Sequence, residues 1–397
     1  MSIPTIVFGR AVFAVVIGLG LLALLASKFR QLAWLYLVER RRSIFGLTIA
    51  ATIAVWSVSA AGSEFPVRSF EAVLRTGMFV ALAAMMFAAL QTDQQMCRFS
   101  MQVLVMTSAI SILFGILSMT MLPELFWFLH LKGWKSTPLQ WELKNFSSLV
   151  VVLMPIFVWR VMAEKSFVRY VTLAAIAGMT FLVWTSYNRA AIAGLLAMLL
   201  IWAIAFLVRR GTRKHILLAT SGIGLIFFVV VVWLKITRGD MIETAPGSDW
   251  LIPVWLIDFQ RQTIWAHSLE IFERAPWFGI GANTINFTPG ADAPLPGDQG
   301  LHIMPAHPHS WLFEILAETG TIGLMILLVA VGTMAAHLMR RFRQTGEARY
   351  LVSLTIMAGY WVSGFFNYSY WSAWWQASFV IGMALALASR SDTVENP

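Results

Sequence analysis

Apolar runs recur through the chain, separated by short polar breaks. Taken at roughly 20 residues a crossing, they predict spans at 5–27, 44–61, 72–91, 99–121, 146–163, 170–187, 190–208, 216–234, 310–337, 350–367 and 371–389. The runs do not alternate apolar and polar positions as the strands of a membrane barrel would. The expected fold is therefore all-α and integral to a membrane, with eleven transmembrane helices, or twelve if residues 1–38 divide into two short helices around Lys28 and Arg30. Residues 5–27 lack a small-residue cleavage site and read as an uncleaved span. One stretch, 235–309, is too long for a simple connection. It divides the chain into an N-terminal bundle (1–234), a large loop (235–309) and C-terminal helices (310–397).

Inside the loop, residues 258–274 read as an amphipathic helix, with Trp265, Leu269 and Phe272 on one face and Arg261, Glu270, Glu273 and Arg274 on the other. Pro276 stops it, and Gly279-Ile280-Gly281 makes a tight turn that lacks the length and strand–helix context of a dinucleotide fingerprint. Residues 288–304, rich in Pro, Gly and Asp, are expected to form a mobile loop over a site. Pro308 disfavours a helical His307, so the next helix starts after His309 and Ser310. Its apolar positions Trp311, Leu312, Ile315 and Leu316 fall at helical spacing, and Glu314 and Glu318 share a face. Two other breaks stand out. Residues 122–145 carry Trp127, Trp134 and Trp141 as interfacial aromatics and end on Asn145, and a tight hairpin between the sixth and seventh spans holds Asn188-Arg189-Ala190-Ala191.

Composition agrees with this pattern: 58% of residues are hydrophobic and 12% charged, about half the charged fraction of a soluble domain. A net charge of +9 suggests a polyanion partner. However, the arginine clusters at 40–42, 209–213 and 340–349 all fall on one side of the spans, which is the positive-inside pattern. The surplus is thus a topology signal and not a nucleic-acid site, and the 235–309 loop faces outward. The single cysteine, Cys97, rules out an intramolecular disulfide.

Three cationic or ionisable groups stand on the outward face: Arg189, Arg261 and His309. Planar guanidinium groups suit a diphosphate through paired, charge-assisted bonds. An imidazole at a helix N-terminus is favoured in its neutral form and can act as a general base. A zinc site from His302, His307 and His309 is an alternative, opposed by the lack of an evident acidic partner and by Pro308 between two of the histidines.

Three stretches together resemble the O-antigen ligase and polymerase superfamily of bacterial envelope enzymes: Asn-Arg-Ala-Ala at 188–191, Arg261 through Trp265 to Pro-Trp-Phe-Gly-Ile-Gly at 276–281, and His-Pro-His-Ser with Glu-Thr-Gly-Thr-Ile-Gly within 307–323. Asn145 ahead of Pro155 is similar to an earlier asparagine signature, and Ser310 stands where many members carry asparagine. The resemblance implies a C-type glycosyltransferase architecture in the bacterial inner membrane, with its active site on the periplasmic side. It implies a glycan donor on undecaprenyl diphosphate, and neither metal nor nucleotide cofactor. It assigns His309 as the general base and Arg189 and Arg261 to the diphosphate, with His307, Glu318, Asn145, Asn188 and Arg274 as secondary candidates. The acceptor would be the lipid A-core of lipopolysaccharide for a ligase, or another lipid-linked glycan for a polymerase. A transporter of lipid-linked sugars is a further reading, against which stand charges kept at span ends and a single lopsided loop.

Overall fold

A computed structural model describes residues 2–40, 42–130, 139–210, 213–238, 257–295, 298–304 and 306–390. Each expected apolar run falls on a helix. In order these are α1 (Arg10–Ala26), α2 (Phe29–Arg40), α3 (Ile44–Ala61), α4 (Pro66–Thr92), α5 (Gln94–Thr120), α6 (Pro123–Leu129), α7 (Leu139–Glu142), α8 (Lys144–Ser147), α9 (Val150–Ala163), α10 (Phe167–Thr185), α11 (Arg189–Arg210), α12 (Arg213–Arg238), α13 (Phe259–Arg274), α14 (Trp311–Thr345), α15 (Ala348–Phe365) and α16 (Ala373–Ala388). Local chemistry sets their starts. Ser43, Asp93 and Ser166 accept backbone N–H bonds at the heads of α3, α5 and α10, and Pro66 opens α4 where no N–H is needed.

The protein is an all-α integral membrane protein. Among the described residues, six helices are long and apolar enough to cross a membrane: α3, α4, α5, α10, α11 (as far as Leu207) and α14. Helices α9 and α16 are apolar but shorter, and α1 and α2 meet at a bend of 93°. Residues 1–38 thus carry two helices that bend apart at Lys28, the arrangement of the twelve-helix alternative. Helix α9 lies at the centre, touching α10, α11, α15 and α16. Its run Val150-Val151-Val152-Leu153 and its Ile156 and Phe157 are all fully buried, as expected of a helix that is apolar all round.

The sequence predicts one continuous helix from residue 310. The structure interrupts it at Gly320, whose φ of 66° and ψ of −175° lie outside the helical region. A break in a helix orphans the carbonyls before it and the N–H groups after it. Residues 276–281 satisfy both sets. The carbonyls of Pro276 and Trp277 accept from the N–H groups of Thr321 (2.8 Å) and Ile322 (3.2 Å), and the N–H groups of Ile280 and Gly281 donate to the carbonyls of Ala317 (3.3 Å) and Glu318 (2.9 Å). Ser59 Oγ adds a bond to the Glu318 carbonyl. The Gly-Ile-Gly turn and the Thr-Gly-Thr break are therefore two halves of one joint.

Glu318 fastens the joint. Its buried carboxylate accepts the backbone N–H groups of Asn283 (2.7 Å), Thr284 (2.7 Å) and Ile285 (2.8 Å) and the indole N–H of Trp371. Three convergent N–H groups form an anion-holding concavity, so Glu318 builds the fold instead of facing a ligand. Glu318→Ala would strand those donors at roughly 1–3 kcal/mol each. The expected result is a clear drop in melting temperature in detergent, with Glu318→Gln less affected. An unchanged melting temperature for the alanine variant would refute this role.

Helix α13 begins at Asp258, whose side chain accepts from the Arg261 N–H at 3.2 Å. Its apolar face is set by Ile264, Trp265 and Ile271. Of the stretch 288–304, expected as a mobile loop, the described residues fold onto that face. Pro294–Leu295 pairs with Asp298–His302 as a short antiparallel hairpin, and Ala291 and Met304 are buried with Ile285 beside Trp265. The reason is spacing: its few apolar residues return to one side between the prolines and glycines.

Candidate functional site

Five chain segments meet at the end of the bundle that carries the loop. They are held by a closed circuit of bonds. Asn188 Nδ2 donates to the Lys144 carbonyl at 3.0 Å. The next residue, Arg189, pairs with Asp258 at 3.3 Å, and Asp258 caps the N–H of Arg261. One turn further along α13, Trp265 Nε1 donates to the Pro308 carbonyl at 2.9 Å and its ring stacks on Phe313 at 4.8 Å. His309 Nδ1 meets the Asn367 carbonyl at 3.1 Å, and the hydroxyl of the adjacent Tyr368 returns to the Lys144 carbonyl at 3.3 Å.

This circuit fixes the protonation of the two histidines. The Asn367 carbonyl can only accept, so His309 carries its proton on Nδ1 and its Nε2 presents a lone pair. The His309 backbone N–H donates to His307 Nδ1 at 3.0 Å, so that nitrogen is bare and His307 carries its proton on Nε2. The two rings lie 4.4 Å apart, one with a free base and the other with a free donor. His309 sits at φ 54°, a conformation uncommon outside glycine. It is a local cost that places the imidazole at the mouth of α14.

Electrostatics favour the neutral rings. Burial lowers His309 below its ordinary 6.5, and the Arg261 charge lowers it further, partly offset by the Asn367 bond and Asp258. His307 is held well below 6.5 by burial, then by His309, Arg10 and Arg261.

The other candidates separate clearly. Asn188 is 2% exposed, with its amide nitrogen shared among the Lys144 carbonyl, Ser147 and Ser148, and its oxygen accepting from the Ala191 N–H. It therefore positions Arg189 and starts α11, with no group left for a ligand. Asn145 lies half-buried on α8 beside Lys144. Arg274 is at the far end of α13, exposed and roughly 20 Å along the axis from Arg261 at 1.5 Å per residue, so it is not brought to the site. His302 is turned away in the hairpin, with Nδ1 on the Asp292 carbonyl at 2.8 Å. Among the described residues, no three His, Cys, Asp or Glu side chains gather as they would around a metal ion. Ser310 precedes α14 without capping it, and its hydroxyl is buried without a partner.

The circuit also includes residues that sequence reasoning passed over. Asp258 was legible, since an aspartate directly before an amphipathic helix is an N-cap signal. Asn367 meets His309 Nδ1 with its main-chain carbonyl, a contact that leaves no trace in side-chain chemistry.

Residues 174–328 match a family model described as O-antigen ligase, a stretch that contains Arg189, Arg261, His307, His309 and the Gly320 joint. The chain is 25% identical over 120 residues to a protein of Rickettsia conorii named "Putative polysaccharide ligase", and 26% identical over 121 residues to one of the same description in Rickettsia bellii. Each alignment covers 30% of this chain and 28% or 29% of the relative. Over residues 174–328 the chain is therefore similar to the O-antigen ligase family.

Proposed function

We propose that the protein transfers a glycan from undecaprenyl diphosphate to an acceptor sugar hydroxyl on the periplasmic face of the bacterial inner membrane, as an O-antigen ligase acting on lipid A-core. The observation that carries this reading is the His309 Nε2 lone pair, fixed by the Asn367 carbonyl, at a site bounded by Arg189 and Arg261. The acceptor hydroxyl gives its proton to His309 Nε2 as its oxygen attacks the anomeric carbon. The bond from that carbon to the diphosphate breaks on the opposite face, with its electron pair leaving on the phosphate oxygen. The configuration at the anomeric carbon inverts. A lipid diphosphate is already a good leaving group, so it needs charge stabilisation more than a proton, and fixed guanidinium groups at a membrane surface supply that. The Arg189–Asp258 pair is half exposed. Such pairs are worth about 0.2–1 kcal/mol, so Arg189 gives up little when it turns to a phosphate. His307, proton on Nε2, supplies a further donor beside His309.

Purified protein in liposomes, given an undecaprenyl-diphosphate glycan with lipid A-core, is expected to make core-linked glycan without added metal. Arg189→Ala or Arg261→Ala is expected to lower the rate about 10²–10³-fold. Longer lipid-linked glycan formed without core would make the protein a polymerase using the same site. Wild-type rates in both arginine variants would refute the assignment of the diphosphate.

A further inference from the structure

Lys144 is bound into the site through its carbonyl, and neither the family-matched stretch nor the transfer scheme above includes it. Its carbonyl accepts from four side chains: Ser147 Oγ (3.2 Å), Ser148 Oγ (2.7 Å), Asn188 Nδ2 (3.0 Å) and the Tyr368 hydroxyl (3.3 Å). These come from three separate parts of the chain. Joining helices would not require so many donors to converge on one carbonyl. Their convergence does fix the Cα of this lysine against the Arg189 hairpin on one side and the His309–Asn367 turn on the other.

The side chain is half-buried, with its ammonium 5.6 Å from the Trp141 ring centre. The Asn188 bond to its carbonyl puts Lys144 beside the Arg189 hairpin. Burial pushes its pKa below the ordinary lysine value, and the charges of Arg189 and Arg261 push it further. Gathering like charges half out of water is unfavourable unless something anionic joins them. The proposed donor has the required charge. A lipid diphosphate glycan carries one negative charge on each phosphorus, and the leaving lipid diphosphate gains more negative charge as the sugar–oxygen bond breaks. Part of the positive charge of the two arginines is already answered by Asp258 on Arg189.

We propose that the Lys144 ammonium is a third cation of the lipid-diphosphate site, placed to take up the charge that develops on the leaving phosphate. The inference rests on the transfer reading above. Since that charge grows toward the transition state, Lys144 acts on turnover more than on donor capture.

Lys144→Met keeps the apolar stem over Trp141 and leaves the carbonyl network untouched, since that network is main-chain. In the reconstituted assay it is expected to lower kcat on the order of 10²-fold with a smaller change in donor KM. It is also expected to weaken inhibition by sugar-free polyprenyl diphosphate by about tenfold, and inhibition by polyprenyl monophosphate less. Lys144→Arg should restore most of both. If Lys144→Met keeps kcat and diphosphate inhibition within about twofold of wild type while His309→Ala is inactive, the lysine only shields the interface and the proposal is overturned. If the wild type makes no glycan product at all, the transfer reading fails, and binding of sugar-free polyprenyl diphosphate decides the anion site alone. Affinity that depends on Lys144 would keep it, and equal affinity in wild type and Lys144→Met would remove it.

Discussion

His309→Ala is expected to lower glycan transfer by ~10²–10⁴-fold, the usual contribution of a positioned general base. Donor affinity should change little, because in the proposed scheme the imidazole meets the acceptor hydroxyl and not the diphosphate. The pH dependence is a sharper test than the loss itself. A base works in its neutral form, so the rate falls as pH drops through its pKa. Burial first, and Arg261 second, hold that pKa below 6.5, against the Asn367 bond and Asp258, which raise it. His307, the other titratable ring against it, is itself held neutral. The acid limb should therefore lie below the ordinary histidine range, with a flat profile through neutrality. Removing the Arg261 charge takes away a repulsion from the imidazolium, so Arg261→Gln should move the limb of its residual activity toward higher pH. A limb at or above 6.5 in the wild type, or one that stays put in Arg261→Gln, would mean that another group is titrating.

Much of this arrangement was readable from the chain. Apolar runs gave every helix that surrounds α9, because burial in lipid or among helices demands uninterrupted apolar length. Arg189 and His309 stood out beside the ends of those runs, where a charge is costly without a purpose, and Arg261 on the polar face of the amphipathic loop helix. The circuit brings their three segments together. The sequence did not reveal which polar residues spend their bonds on the fold. Asn188 and Glu318 stand as secondary site candidates in the sequence, Glu318 more as an orienting group, and the structure uses Asn188 on the Lys144 turn and Glu318 on the 283–285 backbone. These bonds link positions 33 to 44 residues apart through main-chain atoms, which no side-chain pattern records. The break at Gly320 was hidden for the same reason. Apolar periodicity continues across it, and only the facing segment at 276–281 makes it stable.

That joint leads to the largest expected effect on folding: Gly320→Ala should abolish recovery of folded protein. Gly320 has φ 66° and ψ −175°, a region open essentially to glycine alone and costing other residues of order 1–3 kcal/mol. Space compounds the strain. A Cβ on Gly320 would lie 2.3 Å from the Trp277 carbonyl, and one on Gly279 would lie 2.3 Å from the Glu318 carbonyl carbon. Both obstacles are backbone, so no side-chain rotation relieves them. The two segments must part, and parting them strands the N–H groups of Gly281 and Thr321 and their carbonyl partners. Each buried group left unsatisfied costs about 1–3 kcal/mol. The control lies in the same helix: Gly332 is exposed, nothing stands within 4 Å of its would-be Cβ, and its backbone is helical. Gly332→Ala should therefore be neutral or stabilising by up to about 1 kcal/mol. Size-exclusion profiles of the two variants in detergent, with melting temperatures of what survives, compare them directly. A folded Gly320→Ala protein melting with the wild type would mean that α14 can run straight. The positions of α13, Trp265 and the Pro308 carbonyl, and with them the placement of His309, would then need another origin.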